Sequence, residues 1–326
     1  VKLMKDNHLL TVCIPCYNAQ NTIGRCIESI LNQTYPLSIL IVNDGSKDNS
    51  GQVIDEYASK YDNITVIHQE NAGIAKTRNV LLANFETPYF GFLDSDDQAL
   101  PTYSNVFIPL LEKSPQIAVA NFNWITSKDK KVYHDGPYDY GKDMVVHLFS
   151  TLWNKVYNKA FITSIGLTFP NGNRYEDSYF LYCLAPFLTN VSFSETCVID
   201  YIQTEGSITH TNNQQVKHMI EIFKGIVSWY KEKGIYDRYK QELEYLHIKF
   251  FLGNSFLRST RIDDASDRKA TLKLGWDLLN ESYPHWHKNP YLKSEPGLKN
   301  KYFRFVYSWN YMFFANLFRF IYKDKI

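Results

Sequence analysis

A chain of 326 residues with a net charge of +1 is long enough to bury a substantial core and carries no global field of the kind that marks a nucleic-acid binder. Its five cysteines, an odd number, exclude the framework of a small disulfide-stapled secreted domain. Cys13 and Cys16 in VCIPCYN spell C-x-x-C, but they end an apolar strand, with Pro15 between them, and do not open a helix. Buried small side chains account for them better than redox chemistry does.

The opening VKLMKDNHLL lacks the apolar core of a signal peptide, and no run of about 18 uncharged apolar residues occurs before residue 300. The expectation is a cytoplasmic enzyme. LLTVCIPCYN predicts a buried strand ending in a turn, and TIGRCIESILNQ has helical spacing through Ile23, Cys26, Ile27 and Ile30. SILIVNDGS predicts a second strand closed by Asp44, Gly45 and Ser46, after which Ser46 or Asp48 caps a helix reaching Tyr61. ITVIHQ is a third strand, AGIAKTRNVLLANF a third helix, and YFGFLD a fourth strand. That rhythm predicts a mainly parallel sheet covered on both faces.

Beyond Pro101 the signal loosens. IAVANFNWI (117–125) predicts a strand, VYHDGPYDYGKD a polar loop, TLWNKVYNKAFI a helix, EDSYFLYCLAPF a helix opening on two acids, and VSFSETCVIDYIQ a strand. From about residue 212 the pattern is helical, which sets two domains, 1–211 and 212–326.

In open sheets of this kind ligands bind beyond the C-terminal ends of the strands. Tyr17, Asn18, Asp44, Ser46 and the acids of DSDD are therefore expected on one rim. There an apolar strand stops at Asp94, Asp96 and Asp97. Such a cluster is either an ordinary turn or a holder of something positive. Mg²⁺ or Mn²⁺ takes hard oxygen ligands from Asp, and diphosphate oxygens would complete its shell. D-x-D alone is weak evidence; its place at a buried strand end, one unit after Asp44, strengthens it.

The set TVCIPCYN, ILIVNDGSKDNS, QENAGIAKTRN, YFGFLDSDD, WNKVYNKAF and RYEDSYF resembles the family 2 glycosyltransferases, over roughly residues 8–210 and in the family's order. The resemblance implies the GT-A fold, a Rossmann-like, mainly parallel mixed sheet with flanking helices, followed here by a mostly helical C-terminal region. It implies inverting, metal-dependent transfer of a single sugar from a UDP-sugar to a hydroxyl. The acceptor would be a glycan, lipid-linked or protein-linked, in assembly of a bacterial surface polysaccharide, teichoic acid or glycoprotein glycan.

By the same resemblance Pro15, Tyr17 and Asn18 lie against the nucleotide, Asp44 reads its base, and Ser46 stands beside it. Gly73 and Ala75 let backbone close over the nucleotide, and Arg78 meets charge, either the donor's or that of a carboxylate such as Asp94. Asp94 matches the ribose contact, with Ser95 next to it, and Asp96 the metal ligand, while Asp97 supports the turn. Asp177 matches the general base, with Glu176 the fallback, because neighbours on a helix point about 100° apart. Two acids at a helix start are also what the helix dipole favours. Trp153 resembles the aromatic beside the acceptor or donor sugar, yet a Trp at helical spacing is equally a core residue; Lys155 is expected in solvent.

Processive relatives carry Q-x-x-R-W, which is missing here. Gly206, Ser207 and Ile208 resemble the ending of non-processive members, with Thr204 and Glu205 where a basic residue often stands; His210 either reaches the metal or is solvated. A sugar-1-phosphate nucleotidyltransferase would need a Gly-rich basic loop after the first strand, and PCYNAQNTIG is not one. A non-catalytic glycan-binding relic would have no need of Asp94, Asp96 and Asp177. The tail KNKYFRFVYSWNYMFFANLFRFIYKDKI is aromatic with basic edges, which suits either peripheral contact with a membrane interface or packing on protein.

Overall fold

The computed structural model describes residues 8–126, 129–170, 175–202, 218–260 and 262–322. They fall into two compact units, one within Val1–Gly172 and Glu176–Thr204, the other within Asn173–Tyr175 and Glu205–Ile326. The division expected at residue 211, the Gly206–Ile208 motif and His210 lie outside the described residues.

The first unit opens with β1 (Leu10–Cys16), α1 (Ile23–Leu31), β2 (Ser38–Asp44), α2 (Ser50–Lys60), β3 (Ile64–Gln69), α3 (Ile74–Ala83) and β4 (Tyr89–Phe92). β1, β2 and β4 are buried at every position, as strands covered on both faces must be. Helix α1 buries Ile23, Cys26, Ile27 and Ile30, the residues its spacing selects. All of these strands pair in parallel, in the order β3-β2-β1-β4.

The sheet continues through β5 (Gln98–Ala99), β6 (Ile117–Ile125), β7 (Lys130–Tyr133), β8 (Lys155–Asn158) and β9 (Val191–Ile202), with α4 (Tyr103–Leu111), α5 (Lys142–His147), α6 (Lys159–Ile165) and α7 (Glu176–Leu184) between them. The order beyond β4 is β8-β6-β9-β5, with β7 on β6. β8 runs antiparallel to both β4 and β6, and β6 runs parallel to β9. Two reversals restore the direction, so the C-terminal ends of β1, β2, β3, β4, β6 and β9 open on one edge. The beginning of β8 reaches that same edge.

Two expectations need correction. TLWNKVYNKAFI is not one helix: Val156 and Tyr157 pair with β4 and β6, and only then does α6 begin. Asn158 makes the change, its side chain accepting from Phe161 N at 2.9 Å as the cap of α6. Lys155 is not in solvent. Its side chain is fully buried, 2.5 Å from Asp135, and donates as well to the carbonyls of Phe149 and Thr151. A buried ammonium persists only when paired in this way. The segment expected as a polar loop begins on the last residues of β7 and ends on the first of α5.

The second unit is helical: α8 (His218–Glu232), α9 (Lys240–Ile248), a π-helical stretch (Lys249–Ser255), α10 (Phe256–Ser259), α11 (Ala265–Ser282), α12 (Tyr291–Ser294), α13 (Leu298–Phe305) and α14 (Tyr311–Tyr322). Among the described residues, no helix is long and apolar enough to cross a membrane.

Candidate active site

The site is built at the C-terminal edge of the sheet, within the first unit. The turn after β1 and the turn after β2 are laced together: Asn18 N donates to Ser46 Oγ at 3.0 Å, and Lys47 N donates to Asn18 Oδ1 at 2.8 Å. Asn18 adopts a left-handed φ of 49°, which Asn tolerates better than most residues. Tyr17, beside it, is 49% exposed. Asp48, the other candidate cap of α2, accepts from Ser50 N at 3.0 Å and from Gln20 N at 3.1 Å. Cys16, within the same strand end, is buried, and burial pushes its thiol up to about 11, so it stays protonated at neutral pH.

Asp44 ends β2 and is buried. Its carboxylate accepts from Gln69 Nε2 at 2.7 Å, from Ala72 N at 2.8 Å and from Gly73 N at 3.0 Å, fixing the loop that leads into α3. Gly45 follows with φ +68°, and a Cβ there would stand 2.6 Å from Asn71 N, so backbone approach and conformation both demand glycine. Gly73 differs: with φ +87° it meets open space, leaving room for a ligand beside the backbone. Ala75 is buried in the first turn of α3.

Arg78 lies one turn further along α3 and is buried. It donates to Asp94 Oδ1 at 2.9 Å and, through its other terminal nitrogen, to Glu176. The acid turn after β4 and the first residue of α7, far apart in the chain, are thus held by one guanidinium. Phe92 and Phe169 flank it, 5.7 and 5.8 Å from ring centroid to guanidinium carbon. Asp177 accepts from its neighbour Ser178 N at 2.6 Å. Burial raises its carboxyl above the ordinary range, Arg78 pulls it back, and Asp94 adds to the rise. Burial likewise pushes Glu176 up to about 7, against the pull of Arg78.

In the acid turn Asp97 N donates to Asp94 O at 3.0 Å. Asp97 is buried; it accepts from Ile202 N at 3.4 Å, and its Oδ2 has no hydrogen-bond partner among the described residues. Burial, then Asp94, raises Asp96, which remains partly exposed together with Asp94 and Ser95. Among the described residues no three carboxylates, histidines or cysteines form a ready metal cage.

Residues that the motifs do not point to hold this turn from below. Arg25 donates to Asp96 O at 2.9 Å, Ser29 Oγ accepts from Ala99 N at 3.1 Å, and Gln33 donates to Leu100 O at 2.9 Å. Arg25 and Ser29 lie four apart on α1, beside its apolar positions, and Gln33, four further on, lies just beyond the helix.

Trp153, just before β8, reaches the same edge but is 5% exposed. It stacks on Tyr201 at 4.9 Å and meets Phe122 edge-on at 4.6 Å. Its partners are protein rings, and little of its surface is open to a sugar. Glu176 is engaged by Arg78, as described above. Of the remaining expected residues, Tyr17, Asn18, Asp44, Ser46, Gly73 and Asp94 to Asp97 stand at strand ends on one rim or at the head of α3, with Arg78 a turn along that helix and Pro15 inside β1.

Comparison with known proteins accords with this arrangement. The family model described as "Glycosyl transferase family 2" matches residues 11–170, which hold the β1 turn, Asp44, Arg78 and the acid turn. The chain belongs to this family. It is a glycosyltransferase. Among curated relatives it is 27% identical over 255 residues to the putative glycosyltransferase EpsH of Bacillus subtilis, covering 72% of this chain and 73% of EpsH. Among solved structures it is similar to residues 1–349 of S. aureus TarS in complex with UDP-GlcNAc, with a TM-score of 0.56 and 18% identity over 84% of this chain and 91% of that one. It is also similar to the mannosyltransferase PcManGT of Pyrobaculum calidifontis in complex with GDP-Man and Mn²⁺, with a TM-score of 0.55 and 15% identity over 98% and 89% of the two chains. At these identities the two structures establish the shared fold, GT-A, and not a shared substrate.

Proposed function

We propose that this glycosyltransferase is a metal-dependent inverting enzyme that moves one sugar from a UDP-sugar to a hydroxyl of a glycan, lipid-linked or protein-linked acceptor. Its work would be the assembly of a surface polysaccharide, teichoic acid or glycoprotein glycan, carried out in the cytoplasm. The observation that carries the reading is the bridge from Arg78 to both Asp94 and Glu176. It ties the turn that would face the diphosphate to the helix start that would face the acceptor.

In this reading the laced turns with Pro15, Tyr17, Asn18 and Ser46 receive the nucleoside, and Asp44 its base. Gly73 and Ala75 let the α3 head come close, and Asp94 with Ser95 meets the ribose. Asp96 would hold Mn²⁺ or Mg²⁺. A partly exposed Asp96 on the turn, beside a buried Asp97 oxygen with no hydrogen-bond partner among the described residues, suits a divalent cation. When bound, the ion neutralises charge on the departing diphosphate.

Asp177 is the general base. Its raised proton affinity suits it to take the acceptor hydroxyl's proton near neutral pH. The freed oxygen pair forms the new bond to the anomeric carbon, while the carbon–oxygen bond to UDP breaks and its electrons leave with the diphosphate. Glu176 holds Arg78 and is thereby a positioning residue. Trp153 supports the edge of the acceptor side from within the core.

Calorimetric titration with UDP, with Mn²⁺ and with chelator, tests the reading on wild type and Asp96→Ala. Binding that needs the metal and collapses in the variant is expected. Metal-independent binding, equal in both proteins, would overturn the role of Asp96, and tighter binding of GDP would overturn uridine.

A further inference from the structure

Helix α14 is apolar on two faces. On one, Ala315 is buried with Phe256 and Leu272, and Tyr311, Met312, Phe314 and Phe318 pack beside it. On the other, Phe313, Leu317, Phe320 and Ile321 recur at helical spacing and are exposed, Phe313 by 64% and Phe320 by 84%. One stripe suffices to seat a helix on its own unit; the second is exposed, with no partner there among the described residues. Trp309 in the preceding turn and Phe305 at the end of α13 are exposed as well, by 82% and 65%.

The charge of this segment is one-sided. From Gly297 to Tyr322 there is no Asp or Glu, while Lys299, Lys301, Arg304 and Arg319 are present. Arg319 is committed to the fold: it donates to the carbonyls of Thr260 and Ile262 at 2.8 and 3.0 Å, pinning α14 in place. Lys299, Lys301 and Arg304 are exposed.

We propose that the α13–α14 surface docks on an anionic phospholipid bilayer. Trp309, Phe313 and Phe320 enter the interface, and Lys299, Lys301 and Arg304 meet lipid phosphates. The residue types are those of an interfacial anchor, aromatic and basic together. The 12 residues of α14 span about 18 Å, short of the roughly 30 Å hydrocarbon core, so the helix lies in the plane of the membrane and does not cross it. A second copy of the chain fits this face less well, because a two-fold contact would bring together two copies of a segment, 297–322, that carries cations and no acid of its own. The inference is independent of the roles given to Asp96 and Asp177.

Co-sedimentation of the full chain with phosphatidylglycerol-containing vesicles, and with pure phosphatidylcholine vesicles, tests it. Binding to the anionic vesicles is expected, weakening with salt. The exposed-site variant Trp309→Ser/Phe313→Ser/Phe320→Ser should lose about tenfold or more of the partitioning while keeping its melting temperature and UDP affinity. The variant Lys299→Gln/Lys301→Gln/Arg304→Gln should lose the preference for anionic lipid. Absence of vesicle binding by the wild type, or undiminished binding by the aromatic variant, overturns the proposal. So does a wild-type dimer that the aromatic variant dissociates while neither protein binds vesicles, an outcome that assigns the face to a second copy.

Discussion

Arg78 donates to Asp94 Oδ1 over 2.9 Å from a side chain that is only 6% exposed, and its second terminal nitrogen is turned to Glu176. A buried cation shared by two carboxylates leaves either of them uncompensated when it is removed. Arg78→Met is expected to lower unfolding free energy by about 3–5 kcal/mol and to abolish transfer. Arg78→Lys should fall between, because an ammonium cannot present two donors in a planar fork. Denaturant melts of the three proteins check this; equal midpoints would mean that the bridge carries no structural weight.

Asp177→Asn keeps the shape of the side chain and removes its capacity to take a proton. The turnover number should drop by about 10²–10⁴ while UDP affinity stays within twofold, about the precision of such titrations. Initial rates with saturating donor, paired with calorimetry, separate the two. A variant that retains wild-type turnover would transfer the base role to Glu176.

Glu176 is pushed above its ordinary 4.5 to about 7, by burial first, with Arg78 opposing and Asp177 adding to the rise. The folded state therefore keeps a proton that the unfolded chain has already released. This group's contribution to stability is greatest below its unfolded value and is lost as pH climbs through about 7. Melting temperature followed from about pH 5 to pH 8 should show a falling component that Glu176→Gln flattens. An unchanged slope in the variant would assign that component to other groups.

Arg25 grips the Asp96 carbonyl from α1 without touching its carboxylate. Such outer contacts orient a ligand, so Arg25→Ala should raise the Mn²⁺ concentration needed for half-maximal UDP binding by roughly tenfold. Because the side chain is exposed, stability should change by only about 1 kcal/mol. Manganese titration at fixed UDP measures the effect, and no shift would reduce Arg25 to a brace for the turn.

Gly45→Ala should be destabilising by about 1–3 kcal/mol, since the added Cβ would stand 2.6 Å from Asn71 N at a left-handed φ. The displaced loop should also weaken UDP binding. Thermal melts and calorimetry read the two effects in one preparation.

The alternating half of the fold was legible because its strands are continuous apolar runs and its helices keep a strict spacing; Ile23, Cys26, Ile27 and Ile30 are the buried face of α1 as read. The segment around β8 was not. Val156 and Tyr157 have no helix-breaking neighbours, and only pairing with β4 and β6 makes them a strand. Lys155 reads as surface in any linear pattern, and its partner Asp135 lies across a loop and an intervening helix. The strand-end acids stood out as a motif, whereas the guanidinium bridge between Asp94 and Glu176 is a long-range relation that no local window contains. The stripe of Arg25, Ser29 and Gln33 was visible at its spacing, but only the position of the acid turn gives it a purpose.

Asp44 holds the loop at Ala72 and Gly73 through three hydrogen bonds that form within the chain itself. The entropy of ordering that loop is therefore lost during folding and not when a ligand arrives. On the function proposed above, association at this loop would be a docking onto a preformed surface, with a rate governed by diffusion and charge and little heat-capacity change beyond the area covered. Loosening Asp44 would appear first as a slower, temperature-sensitive on-rate, before any effect on the chemistry further along the edge.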